Sequence, residues 1–239
     1  MKKLVYKTKE EVSNYIAKEI IKQIQENPSS VLGLPTGSTP KDVYHILIED
    51  YKANKTDYSK VVTFNLDEYV GVDEREPNSY RTYMKETLFD EVNIPYENRY
   101  FPLLSSVNQY DELIKAKGGI DLQLLGIGIN GHIAFNEPES SFDSTTRIVE
   151  LDESTRKRNA KYFIDEHNVP RQAISMGVAS IMKAKRIILA ATGEAKRNII
   201  KRFLEEEISE DLPASILKTH CDVTLVLDEQ SVRDSNKIE

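Results

Sequence analysis

A single cysteine, Cys221, stands among 239 residues, so the chain can close no internal disulfide. A reducing compartment accords with that. Cys221 precedes the apolar run "VTLVL" and is expected to be a buried structural thiol. Tryptophan is absent, and no apolar stretch approaches the length that spans a bilayer. The N-terminus, "MKKLVYKTKEEV", opens with two lysines as an export signal would, but no apolar stretch follows. The expected location is therefore the cytoplasm, with no membrane association. Positive charge is outweighed, with 32 Lys and Arg against 39 Asp and Glu. The formal net charge of -7 makes nucleic acid and anionic membranes poor partners, although one anionic small ligand needs only local positive charge. The four histidines, His45, His132, His167 and His220, are scattered without ligand spacing, so no metal is expected. The loop "LPTGSTPKD" carries neither GxGxxG nor a Walker lysine at its usual place, and the chain has no serine nucleophile elbow. No repeat, low-complexity tract or long linker divides the chain, and its length suits one α/β domain spanning 1–239.

Short apolar runs alternate with helical patterns. The strand candidates are "KLVY", "SVLGL", "VVTFNL", "IDLQLLGI", "RIVEL", "ISMGV", "RIILAA" and "VTLVLD". Several are continuously apolar, the habit of strands covered by helices on both faces. Between them, "KEEVSNYIAKEIIKQIQEN" sets Val12, Tyr15, Ile16, Ile20 and Ile24 on one stripe. "TPKDVYHILIEDYKAN" places Thr39 as an N-cap and Pro40 at the first helical position. "NSYRTYMKETLFDEV", "SVNQYDELIKAK", "DESTRKRNAKYFIDE" and "GEAKRNIIKRFLEEE" are further helical segments. This order predicts a mostly parallel sheet between helical layers, with any ligand beyond the carboxyl ends of the strands.

Three polar segments fall at such ends. "LPTGSTPKD" offers the hydroxyls of Thr36, Ser38 and Thr39, a permissive Gly37 and the free amides of a helix start. Those features suit a phosphate, and equally a capped turn. "NLDEYVG" sets Asp67 beside Glu68; one could face a cleft as a base while the other makes structural contacts, or both could be solvated turn acids. "GINGHIAFNEPES" holds Asn130, His132 and Glu137. His132 is the natural proton carrier near neutral pH, and Glu137 is close enough in sequence to raise its basicity. Asn130 could orient either one. A tight structural turn is the competing reading. Lys196 follows "RIILAA" and Lys161 lies in the basic stretch "STRKRNAKYF"; either could reach a phosphate, and for Lys161 a solvated helix face is the alternative.

Taken together and in order, "GLPTGSTP", "NLDEYVG", "PNSY", "LLGIGINGHIAFNEP" and "TGEAK" resemble the glucosamine-6-phosphate deaminase family over about Leu32 to Lys196. The resemblance implies a Rossmann-like three-layer α/β/α sandwich. It implies conversion of glucosamine 6-phosphate and water to fructose 6-phosphate and ammonium, with neither metal nor organic cofactor. Asp67 matches the base that moves a proton between carbons 2 and 1. His132 matches the residue that opens the sugar ring, with Glu137 as its partner. Asn130 stands where many members carry aspartate and others asparagine; an amide cannot take a proton, so here it can only orient. Thr36, Gly37, Ser38 and Thr39 match the phosphate loop, and Lys196 a phosphate-binding lysine. Lys161 replaces an arginine of better-known members, keeping the charge and losing the planar fork. Residues 151–174 correspond to a mobile lid.

Two rivals bound this expectation. A lactonase on the same fold would hydrolyse an ester and need no base at carbon 2. A sugar-phosphate sensor would bind without turnover, and no DNA-binding segment precedes the first strand. Some family members are hexamers activated by N-acetylglucosamine 6-phosphate. Their effector site draws on two basic positions after the glutamate–proline segment and on a C-terminal extension. Arg147 matches the first position, but the second is Val149, and the chain ends at Glu239. The expectation is hyperbolic kinetics, no activation, and a monomer or small homo-oligomer.

Overall fold

The computed structural model describes residues 1–160, 163 and 169–232. Its main sheet has seven strands, β1 (Lys2–Tyr6), β2 (Val31–Leu34), β3 (Val62–Asn65), β5 (Arg99–Tyr100), β6 (Leu122–Gly126), β9 (Arg186–Ala191) and β10 (Val223–Asp228). They lie in the order β1-β10-β9-β6-β2-β3-β5, and every neighbouring pair is parallel. Alternate residues of β9 feed two cores. Ile188 and Ala190 join one with α1 (Lys9–Glu26) and α2 (Ser38–Lys52). Ile187, Leu189 and Ala191 join the other with α4 (Tyr110–Ala116) and α7 (Arg197–Glu205). Side chains of a strand alternate between faces, so a continuously apolar run is what a doubly covered strand requires. On α1, Val12, Ile16, Ile20 and Ile24 are all within 1% of full burial, while Tyr15 packs at the margin. Each such aliphatic contributes roughly 1.5–3 kcal/mol.

From β2 the chain runs outward to β3 and β5, then returns to the other side of β2 as β6 and continues to β9 and β10. The reversal lies between β2 and β6, and a crevice opens at the carboxyl ends of strands on either side of such a point. The segments after β2, β3, β6 and β9 therefore meet at one edge.

A second sheet departs from the sequence expectation. "RIVEL" and "ISMGV" do not join the parallel sheet. They form β7 (Arg147–Glu150) and β8 (Gln172–Ser175), which with β4 (Asp67–Tyr69) make an antiparallel sheet in the order β4-β8-β7. β7 alternates half-buried and exposed residues, the pattern of a strand covered on one face only. Two further expectations change. α2 starts at Ser38 with Gly37 as its cap residue, so Thr39 and Pro40 lie inside its first turn. Cys221 is exposed, because the buried run begins only at Val223. "NSYRTYMKETLFDEV" forms α3 (Tyr80–Met84) followed by a π-helical turn, Lys85–Phe89. α5 (Glu153–Asn159), α6 (Val178–Ile181) and α8 (Glu229–Val232) complete the helices named here. Among the described residues no helix is long and apolar enough to cross a membrane.

Candidate active site

The turn after β6 is built around one side chain. The Gly128 amide donates to the His132 carbonyl at 2.8 Å, and the Gly131 amide to the Gly128 carbonyl at 3.1 Å. A β-carbon at position 128 would lie 2.3–2.5 Å from three atoms of the His132 ring. Glycine at 128 is thus the space the imidazole occupies. His132 Nδ1 lies 3.3 Å from Glu137 Oε2, a close approach that a small ring rotation turns into a hydrogen bond. Asn130 Nδ2 donates to the same oxygen at 2.6 Å. Thr155 Oγ1, on α5, donates to Glu137 Oε1 at 2.6 Å. Burial alone would raise the Glu137 pKa, but the His132 imidazole and the Thr155 and Asn130 donors bring it down to about 2.

Asp67 and Glu68 divide as an extended backbone requires. Glu68 accepts from the backbone amides of Tyr69, Tyr80 and Arg81 at 2.9–3.0 Å, tying β4 to the start of α3. Burial holds its pKa above the ordinary carboxylate range despite those donors. Asp67 is 8% exposed, and among the described residues no donor reaches its carboxyl. Burial, and then the neighbouring Glu68 charge, push its pKa up to about 8.

β8 joins the two carboxylates. Asp67 pairs with Ser175, and the Met176 amide donates to the Leu66 carbonyl at 2.8 Å. On the other side the Phe135 amide donates to Ser175 Oγ at 3.1 Å, and Asn136 Nδ2 donates to the Met176 carbonyl at 2.8 Å. Arg147 Nη1 completes the joint by donating to Asn136 Oδ1 at 2.9 Å. The ends of β2 and β3 are linked as well, Asn65 Nδ2 donating to the Leu34 carbonyl at 3.0 Å.

The phosphate-loop candidate is held from behind by two tyrosines. Tyr44 donates to the Pro35 carbonyl at 2.6 Å and Tyr83 to the Gly37 carbonyl at 2.5 Å. Gly37 takes φ 120°, a conformation that an L side chain would strain. With these carbonyls engaged behind, α2 begins with no side-chain cap on its first amides. The hydroxyls of Thr36, Ser38 and Thr39 have no protein partner among the described residues. Such a helix start is an anion site by geometry and dipole. Lys196 lies in the 3-10 turn Glu194–Lys196 and donates through Nζ to the Ile127 carbonyl at 2.6 Å, across the end of β6. Asp228 sets that turn by accepting the Gly193 amide at 2.9–3.0 Å. Lys161 lies outside the described residues. Among those described, no group of three His, Cys, Asp or Glu side chains is placed to hold a metal.

The family model for "Glucosamine-6-phosphate isomerases/6-phosphogluconolactonase" matches residues 6–226. The chain belongs to this family. Two similar members are glucosamine-6-phosphate deaminases. That of Lysinibacillus sphaericus is 50% identical over 232 residues, covering 95% of this chain and 98% of that protein. That of Geobacillus sp. is 48% identical over 229 residues, covering 93% and 91%. A solved structure described as a monomeric glucosamine-6-phosphate deaminase superposes with a TM-score of 0.94 at 40% identity, covering 97% of this chain and 98% of that one. The 6-phosphogluconolactonase of Trypanosoma cruzi shares the fold, with a TM-score of 0.79 at 20% identity over 99% and 97%.

Within this family frame the residues that sequence reasoning missed are joints. Thr155, Ser175, Asn136 and Asp228 sit in separate segments, and each acts by a hydrogen bond that only the tertiary fold creates. Asn136, inside "AFNEP" and next to Glu137, was the one with a local sequence signal.

Proposed function

We propose that the chain is a glucosamine-6-phosphate deaminase, converting D-glucosamine 6-phosphate and water to D-fructose 6-phosphate and ammonium. The observation that carries the reading is the pair of carboxylates in opposite settings at one sheet edge, Asp67 near 8 and Glu137 near 2. Two groups of one kind with separated pKa values are suited to two different proton tasks. Membership of the family, with deaminases at 45–50% identity, supports the same substrate class.

The substrate phosphate sits on the amides and hydroxyls of Thr36, Gly37, Ser38 and Thr39, with Lys196 and Lys161 supplying positive charge. His132 takes the proton of the anomeric hydroxyl and returns one to the ring oxygen, which opens the sugar. Glu137, kept ionised, favours the transient imidazolium, and Asn130 fixes its orientation. Asp67 then takes the carbon 2 proton of the open aldehyde and delivers it to carbon 1. A raised pKa makes it a stronger base for a weak carbon acid, and general acid–base help of this kind is typically worth ~10²–10⁴-fold per group. The resulting ketimine at carbon 2 adds water and expels ammonia, which leaves as ammonium.

The enzyme is a single domain over 1–239, with residues 151–174 as its lid. It works in the cytoplasm as a monomer or small homo-oligomer, without activation by an acetylated sugar phosphate. Arg147 is turned inward to Asn136, and Val149 packs on the small core of Tyr69, Phe135, Leu151 and Ala173, which leaves neither poised for an effector phosphate. A coupled assay tests the activity, with fructose 6-phosphate and ammonia appearing in equal amounts from glucosamine 6-phosphate. Hydrolysis of 6-phosphogluconolactone without any ammonia release from the aminosugar would contradict it.

A further inference from the structure

Glu137 is held from two directions. From its own turn, Asn130 Nδ2 reaches Oε2 at 2.6 Å, and His132 Nδ1 approaches that oxygen at 3.3 Å. From across the site, Thr155 Oγ1 reaches Oε1 at 2.6 Å. Thr155 is 4% exposed and lies 18 residues along the chain, on α5. Among the described residues it is the point at which the segment between β7 and β8 touches the histidine–glutamate pair.

That segment is pinned at its base, the Leu151 amide donating to the Arg171 carbonyl at 2.7 Å. Inside it, Arg156 Nη2 donates to the Val169 carbonyl at 3.3 Å, so α5 is tied to the returning strand. Phe163 lies edge-on to Tyr69, two residues from Asp67, at 5.5 Å between ring centroids. Among the described residues, Phe163 thus meets the Asp67 side through an aromatic ring and Thr155 the His132 side through a hydroxyl. An apolar ring contact tolerates sliding. A 2.6 Å hydrogen bond does not, because its strength falls steeply with distance and angle.

We infer that Thr155 is a positioning residue that fixes the orientation of Glu137 from α5, and through Glu137 the proton transfers of His132. With Oε1 occupied by Thr155, the carboxylate plane is fixed and Oε2 is presented to the imidazole. Without that hydroxyl, Oε1 lacks its donor in a half-buried setting and the carboxylate turns. Ring opening is then fastest with the Thr155 hydroxyl in place. This inference rests on the ring-opening role given to His132.

Two variants and two readouts test it. Thr155→Val keeps the shape and removes the hydroxyl; Thr155→Ser keeps the hydroxyl. Loss of a hydrogen bond to a charged group corresponds to about ten- to a hundredfold. Thr155→Val is expected to lower kcat on closed-ring glucosamine 6-phosphate by at least about tenfold with little change in KM, and Thr155→Ser to restore most of it. The second readout needs no turnover. Among the described residues His132 is the titratable group facing Glu137, while Asn130 and Thr155 are neutral donors. Removing one donor should raise the Glu137 titration, followed by carboxyl NMR in the substrate-free protein, and Thr155→Ser should leave it in place. Equal kcat and an unmoved titration in Thr155→Val would overturn the inference. So would equal damage by both variants accompanied by equal loss of thermal stability, which would mark a packing role. If the wild-type protein releases no ammonia, the functional reading fails, and the carboxyl titration alone decides whether Thr155 governs Glu137.

Discussion

Asp67, buried, and Glu137, half-buried, are carboxylates at the carboxyl edge of one sheet, and their settings push the first up to about 8 and bring the second down to about 2. Burial acts on both in the same direction. What separates them is the company each keeps. Glu137 sits in a turn that points a hydroxyl, an amide and an imidazole at it. Asp67 sits in a short strand where, among the described residues, no donor reaches its carboxyl, while the neighbouring Glu68 accepts three backbone amides. A carboxylate without donors is suited to act as a base, and one supplied with them to stay an anion; both settings occur here on one residue class.

The strongest way to break the contrast is Asp67→Asn. It should abolish exchange of the substrate's carbon 2 hydrogen with solvent deuterium, a loss of at least ~10²-fold, while substrate still binds. Wild-type exchange in that variant would remove Asp67 from the mechanism. On the other side, His132→Gln should cost far more with closed-ring substrate than with an analogue locked in the open chain. Equal loss on both would mean that the imidazole serves some step other than ring opening. For the anion site, Lys196→Ala should weaken substrate binding by roughly 1.5–3 kcal/mol, the scale of a charge-assisted hydrogen bond. Unphosphorylated glucosamine should be a very poor substrate, and comparable specificity constants for the two sugars would refute the phosphate loop.

A subtler prediction sharpens the contrast through stability. The folded pKa of Asp67, about 8, lies above the ordinary 3.8 of an aspartate, so the native state binds this proton more tightly than the unfolded chain does. The associated stability is fully present below about pH 4 and is lost as pH rises through about 8. Asp67→Asn removes that loss. Its free energy of unfolding should exceed the wild type's, by more at pH 9 than at pH 4, with the alkaline difference on the order of a few kcal/mol, read by denaturant titration at both pH values. In the wild type kcat/KM should rise with pH through the same region, as the base form of Asp67 fills in.

The fold was legible where one physical signal dominated. Continuous apolar runs marked the strands of the doubly covered sheet, and the stripe of Val12, Ile16, Ile20 and Ile24 marked α1, because burial leaves the same imprint wherever a face is covered. The second sheet was not legible. β4 is three residues long and lies within a segment that reads as a turn, and β7 is covered on one face only. Cys221 misled because a neighbouring apolar run says little about the residue just before it. At the candidate site, the segments carrying Asp67, His132 and Glu137 could be expected at one sheet edge, because strand ends next to polar turns are informative. Thr155 could not, because nothing in "DESTRKRN" ties it to a glutamate 18 residues earlier.

Carboxyl NMR of the substrate-free protein, with Asp67 and Glu137 assigned by the Asn and Gln variants, tests the central contrast most directly. The two groups should titrate far apart, Asp67 near 8 and Glu137 near 2. Two titrations within a unit of each other near 4, the ordinary carboxylate range, would contradict the division of labour drawn here.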